Sequence, residues 1–176
     1  MNKYILIGIP NAGKSTLGRR AADKLQIPFY DTDKMVCDRI SHPLELFRMS
    51  LNGQFLEEQS KIIFELAKQD GAAIISTGAE VALIPECAAL MKTMGTIIHI
   101  QRKPDILLAE YKKSGKRGMV MKEKDGNEID MQEEAIKLYA QEYSQYEALA
   151  DLSFENNGTE DEGLEKLLAL LGNIGV

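Results

Sequence analysis

The stretch Gly8-Ile9-Pro10-Asn11-Ala12-Gly13-Lys14-Ser15-Thr16 decides how this chain folds. It follows the apolar run Tyr4-Ile5-Leu6-Ile7 and precedes Leu17, Ala21 and Leu25, which recur at helical spacing. Strand, glycine turn and helix in that order are the setting of the phosphate-binding pattern G-x-x-x-x-G-K-S. The glycines permit the turn and let the backbone approach a ligand closely. Successive N–H groups and the helix N-terminus cradle phosphate oxygens, Lys14 reaches the terminal phosphates, and Ser15 supplies a hydroxyl ligand for Mg²⁺. Pro10, Asn11, Ala12, Gly13, Lys14, Ser15 and Thr16 are therefore the candidate nucleotide-binding residues, with Lys14 also a candidate catalytic group.

Outward from this loop, apolar β-rich segments alternate with helix-periodic ones. Strands are predicted at Lys3–Ile9, Ile27–Asp31, Ala72–Thr77, Thr96–Ile100 and Leu152–Glu155, several of them near-continuous apolar runs, as strands buried on both faces require. The fold class is α/β: a three-layer α/β/α sandwich on a five-stranded parallel sheet, of the P-loop NTPase type. Capping-box patterns at Asp130-x-x-Glu133 and Thr159-x-x-Glu162 open two late helices. The first carries Ile136, Tyr139, Tyr143, Tyr146 and Ala150 as a core-facing stripe. The second carries Leu164, Leu167, Leu168 and Leu171 and is expected to stop at Gly172. Ser114–Asn127 is glycine- and lysine-rich without a stable period and reads as a mobile lid loop, since long structureless loops in compact domains are often lids.

The 176 residues fit a single domain spanning 1–176, with 44% hydrophobic and 27% charged residues excluding disorder. The net charge of −6 argues against nucleic acid or an anionic membrane as partner. That charge is uneven: residues 102–124 hold 8 basic and 3 acidic side chains, and 125–176 hold 2 and 13. Cys37 and Cys87 form no metal-binding or disulfide spacing, no secretory signal is evident, and no apolar stretch approaches the ~20 residues of a membrane span. A cytoplasmic protein, monomeric or weakly dimeric, is expected.

After the second strand the chain reads Phe29-Tyr30-Asp31-Thr32-Asp33. Residues i and i+2 of a strand point the same way, so Asp31 and Asp33 are expected to face the phosphate site together at the sheet's carboxyl edge. The competing expectation makes Asp33 the N-cap of a helix beginning at Lys34. In the functional reading one of the two acids holds Mg²⁺ through water, while the other orients or deprotonates the hydroxyl that attacks the γ-phosphate. Arg117, the sole arginine of Ser114–Asn127, is the candidate to neutralise the moving phosphoryl group as the lid closes and excludes water. His42 and His99 have no partner spacing and are read as structural, His99 as a satisfied strand residue.

These residues resemble the shikimate kinases, small P-loop kinases related to nucleoside-monophosphate kinases. The resemblance spans the P-loop, Asp31-Thr32-Asp33, Pro43-Leu44-Glu45-Leu46-Phe47 with Gly53-Gln54, Thr77-Gly78, Arg117 and Tyr146-Glu147-Ala148-Leu149-Ala150-Asp151. It implies ATP and Mg²⁺ as cofactors, Asp31 as assistant to the metal, Asp33 as base on the substrate hydroxyls, and Gly78, Ala79 and Glu80 beside the substrate. The departures fall on the acceptor side. The family's carboxylate-binding Phe-Arg pair reads Phe55-Leu56, a second arginine is replaced by Glu142, and the Gly-Gly-Gly turn is Gly78-Ala79-Glu80. Glu110 stands where some members carry an adenine-packing arginine.

Replacing bidentate arginines by Leu and Glu removes charge-assisted hydrogen bonds of ~1.5–3 kcal/mol each. Arg39, Arg48 and Lys61 are alternative cations, more naturally read as surface ion-pair partners. The sequence therefore predicts an ATP-dependent phosphotransferase acting on a hydroxyl of a small metabolite other than shikimate, neutral or cationic. It leaves open a true shikimate kinase with an atypical carboxylate site, a gluconate-type or nucleotide kinase, and a non-catalytic ATP-binding module.

Overall fold

The computed structural model describes residues 3–40, 53–113, 120–122, 128–130, 133–134, 137, 140–141 and 143–173. Five strands, β1 (Lys3–Ile7), β2 (Phe29–Asp31), β3 (Ala73–Ser76), β4 (Gly95–Gln101) and β7 (Leu152–Glu155), pair in the order β2-β3-β1-β4-β7, all parallel. Every residue of β1 and of β3 is buried, which is why these segments read as unbroken apolar runs rather than alternating ones. Lys3 joins the core by its stem and donates from Nζ to Gln69 O at 2.6 Å.

Helices α1 (Lys14–Leu25), α2 (Thr32–Arg39), α3 (Gln54–Ala67), α4 (Pro85–Met94), α5 (Pro104–Lys113), α6 (Tyr143–Leu149) and α7 (Glu160–Asn173), with a 3₁₀ turn at Glu80–Leu83, connect and cover the sheet. The chain steps from β1 to β2 in one direction, and from β2 through β3 to β4 in the other. Right-handed crossovers therefore place α1 on one face and α3 and α4 on the other. The loop after β1 departs toward the opposite face from the loops of its neighbours β3 and β4. That divergence opens a crevice at the carboxyl edge, where ligands of open α/β sheets bind.

The predicted strands lie within two residues of the observed ends. Thr159 and Glu162 form the reciprocal capping box: Glu162 N donates to Thr159 Oγ1 at 3.3 Å and Thr159 N to Glu162 Oε2 at 2.9 Å. Leu164, Leu167 and Leu171 are buried as expected. Gly172 does not end this helix, which continues to Asn173; Gly172 keeps a negative φ and so makes no left-handed cap. Asp130 Oδ1 accepts from Glu133 N at 3.3 Å, and Tyr146 is fully buried; Ile136 and Tyr139 lie outside the described residues.

The expectation that Ser114–Asn127 has no structure of its own is corrected in part. Strand β5 (Val120–Lys122) pairs antiparallel with β6 (Glu128–Asp130), so backbone pairing supplies there what side-chain periodicity does not announce. Residues 114–119 and 123–127, Arg117 among them, lie outside the described residues, as do His42, Arg48 and Glu142. Among the described residues no helix is long and apolar enough to cross a membrane.

Candidate active site

The glycine turn after β1 forms as its residue types demand. Gly13 has φ +104, and a Cβ there would lie 2.6 Å from Asn156 Nδ2, so the position excludes side chains twice over. Asn156, just past β7, donates from Nδ2 to Ala12 O at 2.8 Å and ties the far strand to the turn. Helix α1 begins at Lys14, leaving its first-turn N–H groups without intrahelical acceptors. Lys14 is buried and donates from Nζ to Gly8 O at 2.8 Å and Ile9 O at 3.0 Å. Burial brings its pKa down to about 8, against the opposing fields of Asp33 and Asp31. Ser15 Oγ lies 3.1 Å from Ser76 Oγ at the end of β3.

A cavity of about 590 Å³ opens over this turn. Pro10, Asn11, Gly13, Lys14, Ser15 and Thr16 line its floor, Asp33 and Ala79 one end, and Arg102, Glu110 and Asn156 the other. Ala12 faces the core instead and is fully buried. Orphan N–H donors, a buried ammonium, a hydroxyl and a cavity of this size fit a nucleoside triphosphate with its divalent ion. Among the described residues no group of three His, Cys, Asp or Glu side chains is arranged to hold a metal alone. An ion here would take its remaining ligands from phosphate and water, beside Ser15.

The two aspartates are placed differently from the strand-period expectation. β2 ends at Asp31, and the helix starts at Thr32, so Asp33 projects from the first turn of α2 rather than from the strand. Nor does Asp33 cap that helix: Asp31 does, its Oδ1 accepting from Lys34 N at 3.1 Å. The physical reason is that the cap residue needs extended backbone, which Asp31 has at φ −120, ψ 111. Asp33 accepts from Gln59 Nε2 on α3. Burial pushes its pKa up; Lys14 opposes, while Asp31 and Glu80 add to the rise. Asp31 does not line the cavity, but its field reaches Lys14 and Asp33.

Gly78 sits against these groups. A Cβ there would lie 2.7 Å from Asp33 Oδ1 and 2.8 Å from Gln59 Oε1, and Gly78 N donates to Thr32 Oγ1 at 2.9 Å. The close approach of backbone to carboxylate is what requires glycine. Ala79 O accepts from Tyr146 Oη at 3.3 Å, and Glu80 opens the 3₁₀ turn in an exposed position whose charge acts on Asp33. Arg39 is not at the cavity: it pairs with Glu65 and Glu58 on the outer surface, and Lys61 pairs with Glu58.

Sequence reasoning missed Gln59, Asn156 and Arg102. Gln59 shares a helical stripe with the buried Ile62, Ile63 and Leu66, and a polar residue on an apolar stripe is the signal that could have found it. His99 is structural but not satisfied. It is fully buried, neither ring nitrogen has a hydrogen-bond partner among the described residues, and the rings of Tyr143 and Tyr146 lie 4.9 and 5.5 Å away. Burial, and secondarily Lys14, lowers its pKa to about 4.

The sequence pattern of the family described as "Shikimate kinase" matches residues 10–171. A shikimate kinase of Clostridium beijerinckii is 36% identical over 157 residues, covering 89% of this chain and 86% of that protein. A solved structure of shikimate kinase from Acinetobacter baumannii in complex with shikimate superposes with a TM-score of 0.80 at 18% identity, covering 100% of this chain and 96% of that one. A gluconokinase from Sinorhizobium meliloti gives a TM-score of 0.66 at 15% identity, covering 98% and 93%. These two structures share the fold.

Proposed function

The chain belongs to the shikimate kinase family, and on that premise we propose that it phosphorylates a hydroxyl of a small metabolite that lacks shikimate's carboxylate. It is a kinase with ATP and Mg²⁺ as cofactors. ATP supplies the transferable phosphoryl group, and Mg²⁺ neutralises charge on its oxygens. The chain's own residues do the positioning. The turn backbone and Lys14 hold the phosphate end, and Ser15, with Asp31 acting through water, organises the metal ligands. Asp33 takes the proton of the acceptor hydroxyl, a task suited to a carboxylate whose pKa burial has raised. Gly78, Ala79 and Glu80 form the acceptor wall, and Arg117 neutralises the transferred charge. The enzyme is read as one cytoplasmic domain over 1–176, monomeric or weakly dimeric, with no nucleic acid as partner.

One observation carries the choice of acceptor. Among the described residues the only guanidinium at the cavity is Arg102, at the end opposite Asp33, whereas the acceptor end carries the charges of Asp33 and Glu80. A substrate carboxylate there would meet like charge, and no described side chain at that end offers it a bidentate partner. The test is a coupled ADP-release assay with shikimate beside carboxylate-free polyols, cyclitols and amino alcohols. A carboxylate-free acceptor is expected to exceed shikimate in kcat/KM, because shikimate's carboxylate meets like charge at that end. Shikimate as the best acceptor would overturn the reading. That second reading is favoured by the name of the 36% identical Clostridium beijerinckii relative.

A further inference from the structure

The strand order fixes which way a nucleotide lies. The phosphate turn follows β1; Asp33 and Gly78 lie beyond β2 and β3 on one side, Arg102 and Asn156 beyond β4 and β7 on the other. With phosphates over β1 and the acceptor beside Asp33, the nucleoside extends over β4 and β7. Arg102 stands there, one residue past the end of β4, and lines the cavity with Glu110 of α5.

Three features distinguish Arg102 from a surface arginine. Its side chain is only 15% exposed, and its buried Nε has no hydrogen-bond partner among the described residues. Its Nη2 donates to both carboxylate oxygens of Glu110 at 2.6 Å each, which fixes the guanidinium by one corner. Its backbone is held on both sides: Gln101 O accepts from Asn156 N at 2.7 Å, and Lys103 N donates to Asn157 Oδ1 at 3.0 Å. A planar, weakly hydrated cation, braced beforehand and with a donor unspent, is suited to pack on a heteroaromatic ring. Bracing also lowers the ordering cost of binding.

We propose that Arg102, braced by Glu110, is the nucleoside-binding residue of this enzyme, packing its guanidinium on the purine base. The proposal rests on the reading of the cavity as an ATP site. It assigns base recognition to the end of β4 and gives Glu110 a supporting task, where the sequence alone shows an arginine missing from position 110.

The experiment is calorimetric titration with Mg·ATP and, separately, with magnesium inorganic triphosphate, in the absence of any acceptor. Arg102→Ala is expected to weaken Mg·ATP about tenfold while triphosphate affinity stays within about twofold of wild type. Arg102→Lys, which keeps the charge and loses the plane, is expected to lose nearly as much for ATP, and Glu110→Gln about threefold. Equal weakening of both ligands makes Arg102 a phosphate contact and overturns the proposal, as does unchanged ATP affinity in both Arg102 variants. Unfolding midpoints matching wild type confirm that each variant is folded. Absence of product with every acceptor would sink the kinase reading without touching these affinities.

Discussion

Raising the pH through the titration of Lys14 is expected to weaken ATP binding before it harms the fold. Lys14 is buried, its ammonium donates to the backbone carbonyls of Gly8 and Ile9, and its pKa stands at about 8. Bound phosphate oxygens favour the ammonium form, so the nucleotide binds the protonated protein. If that form alone binds, the competent share is about one in ten at pH 9 and one in thirty at pH 9.5. Apparent affinity for Mg·ATP should then fall about thirtyfold from pH 6.5 to 9.5, or about 2 kcal/mol, at constant ionic strength and saturating Mg²⁺. The assay is displacement of a fluorescent nucleotide across that range. Lys14→Met should bind weakly throughout and show no such slope. Wild-type affinity constant to within about threefold would refute the reasoning. A Lys14→Met variant that kept the wild-type slope would assign the titration to another group.

Two further outcomes follow from the same geometry. Asp33→Asn, compared at pH 7, should lower kcat by about 10²–10⁴ with ATP affinity nearly unchanged; a module that only binds ATP would have no turnover to lose. His99, held near 4 against an ordinary 6.5, leaves the unfolded chain binding more protons between those values. Its stabilising contribution is therefore complete above pH 6.5 and declines as pH falls toward 4, by up to about 3 kcal/mol. Urea titrations at several pH values should show a shallower acid loss for His99→Phe; parallel curves for wild type and variant would dispose of the idea.

The phosphate turn was legible because its chemistry constrains residue type at nearly every position: Gly13 admits no Cβ, and Lys14 and Ser15 each have a task. β1 and β3 were legible because strands buried on both faces must be apolar throughout. The reading failed where competition is local or tertiary. Asp33 was placed on a strand because period two was carried past Asp31, whose side chain takes the cap and starts the helix one residue later. The meeting of Asp33, Gln59 and Gly78 joins three elements across the sheet edge; no spacing along the chain encodes it. Strand β5 took its order from a backbone partner of unremarkable composition, and the ring nitrogens of His99 go without a partner because its neighbours among the described residues offer none.

The position of β1 between β3 and β4 has an evolutionary consequence. On the proposed assignment the acceptor meets side chains hung from β2 and β3, and the nucleotide meets those hung from β1, β4 and β7. On that assignment, substitutions at Ala79 or Glu80 would retarget the enzyme without disturbing its energy source. The dividing wall is a strand rather than a flexible hinge, so the two halves can drift apart in sequence while the distance between them stays set by backbone hydrogen bonds. A chain can in this way remain recognisably one family over its length while its acceptor end changes charge.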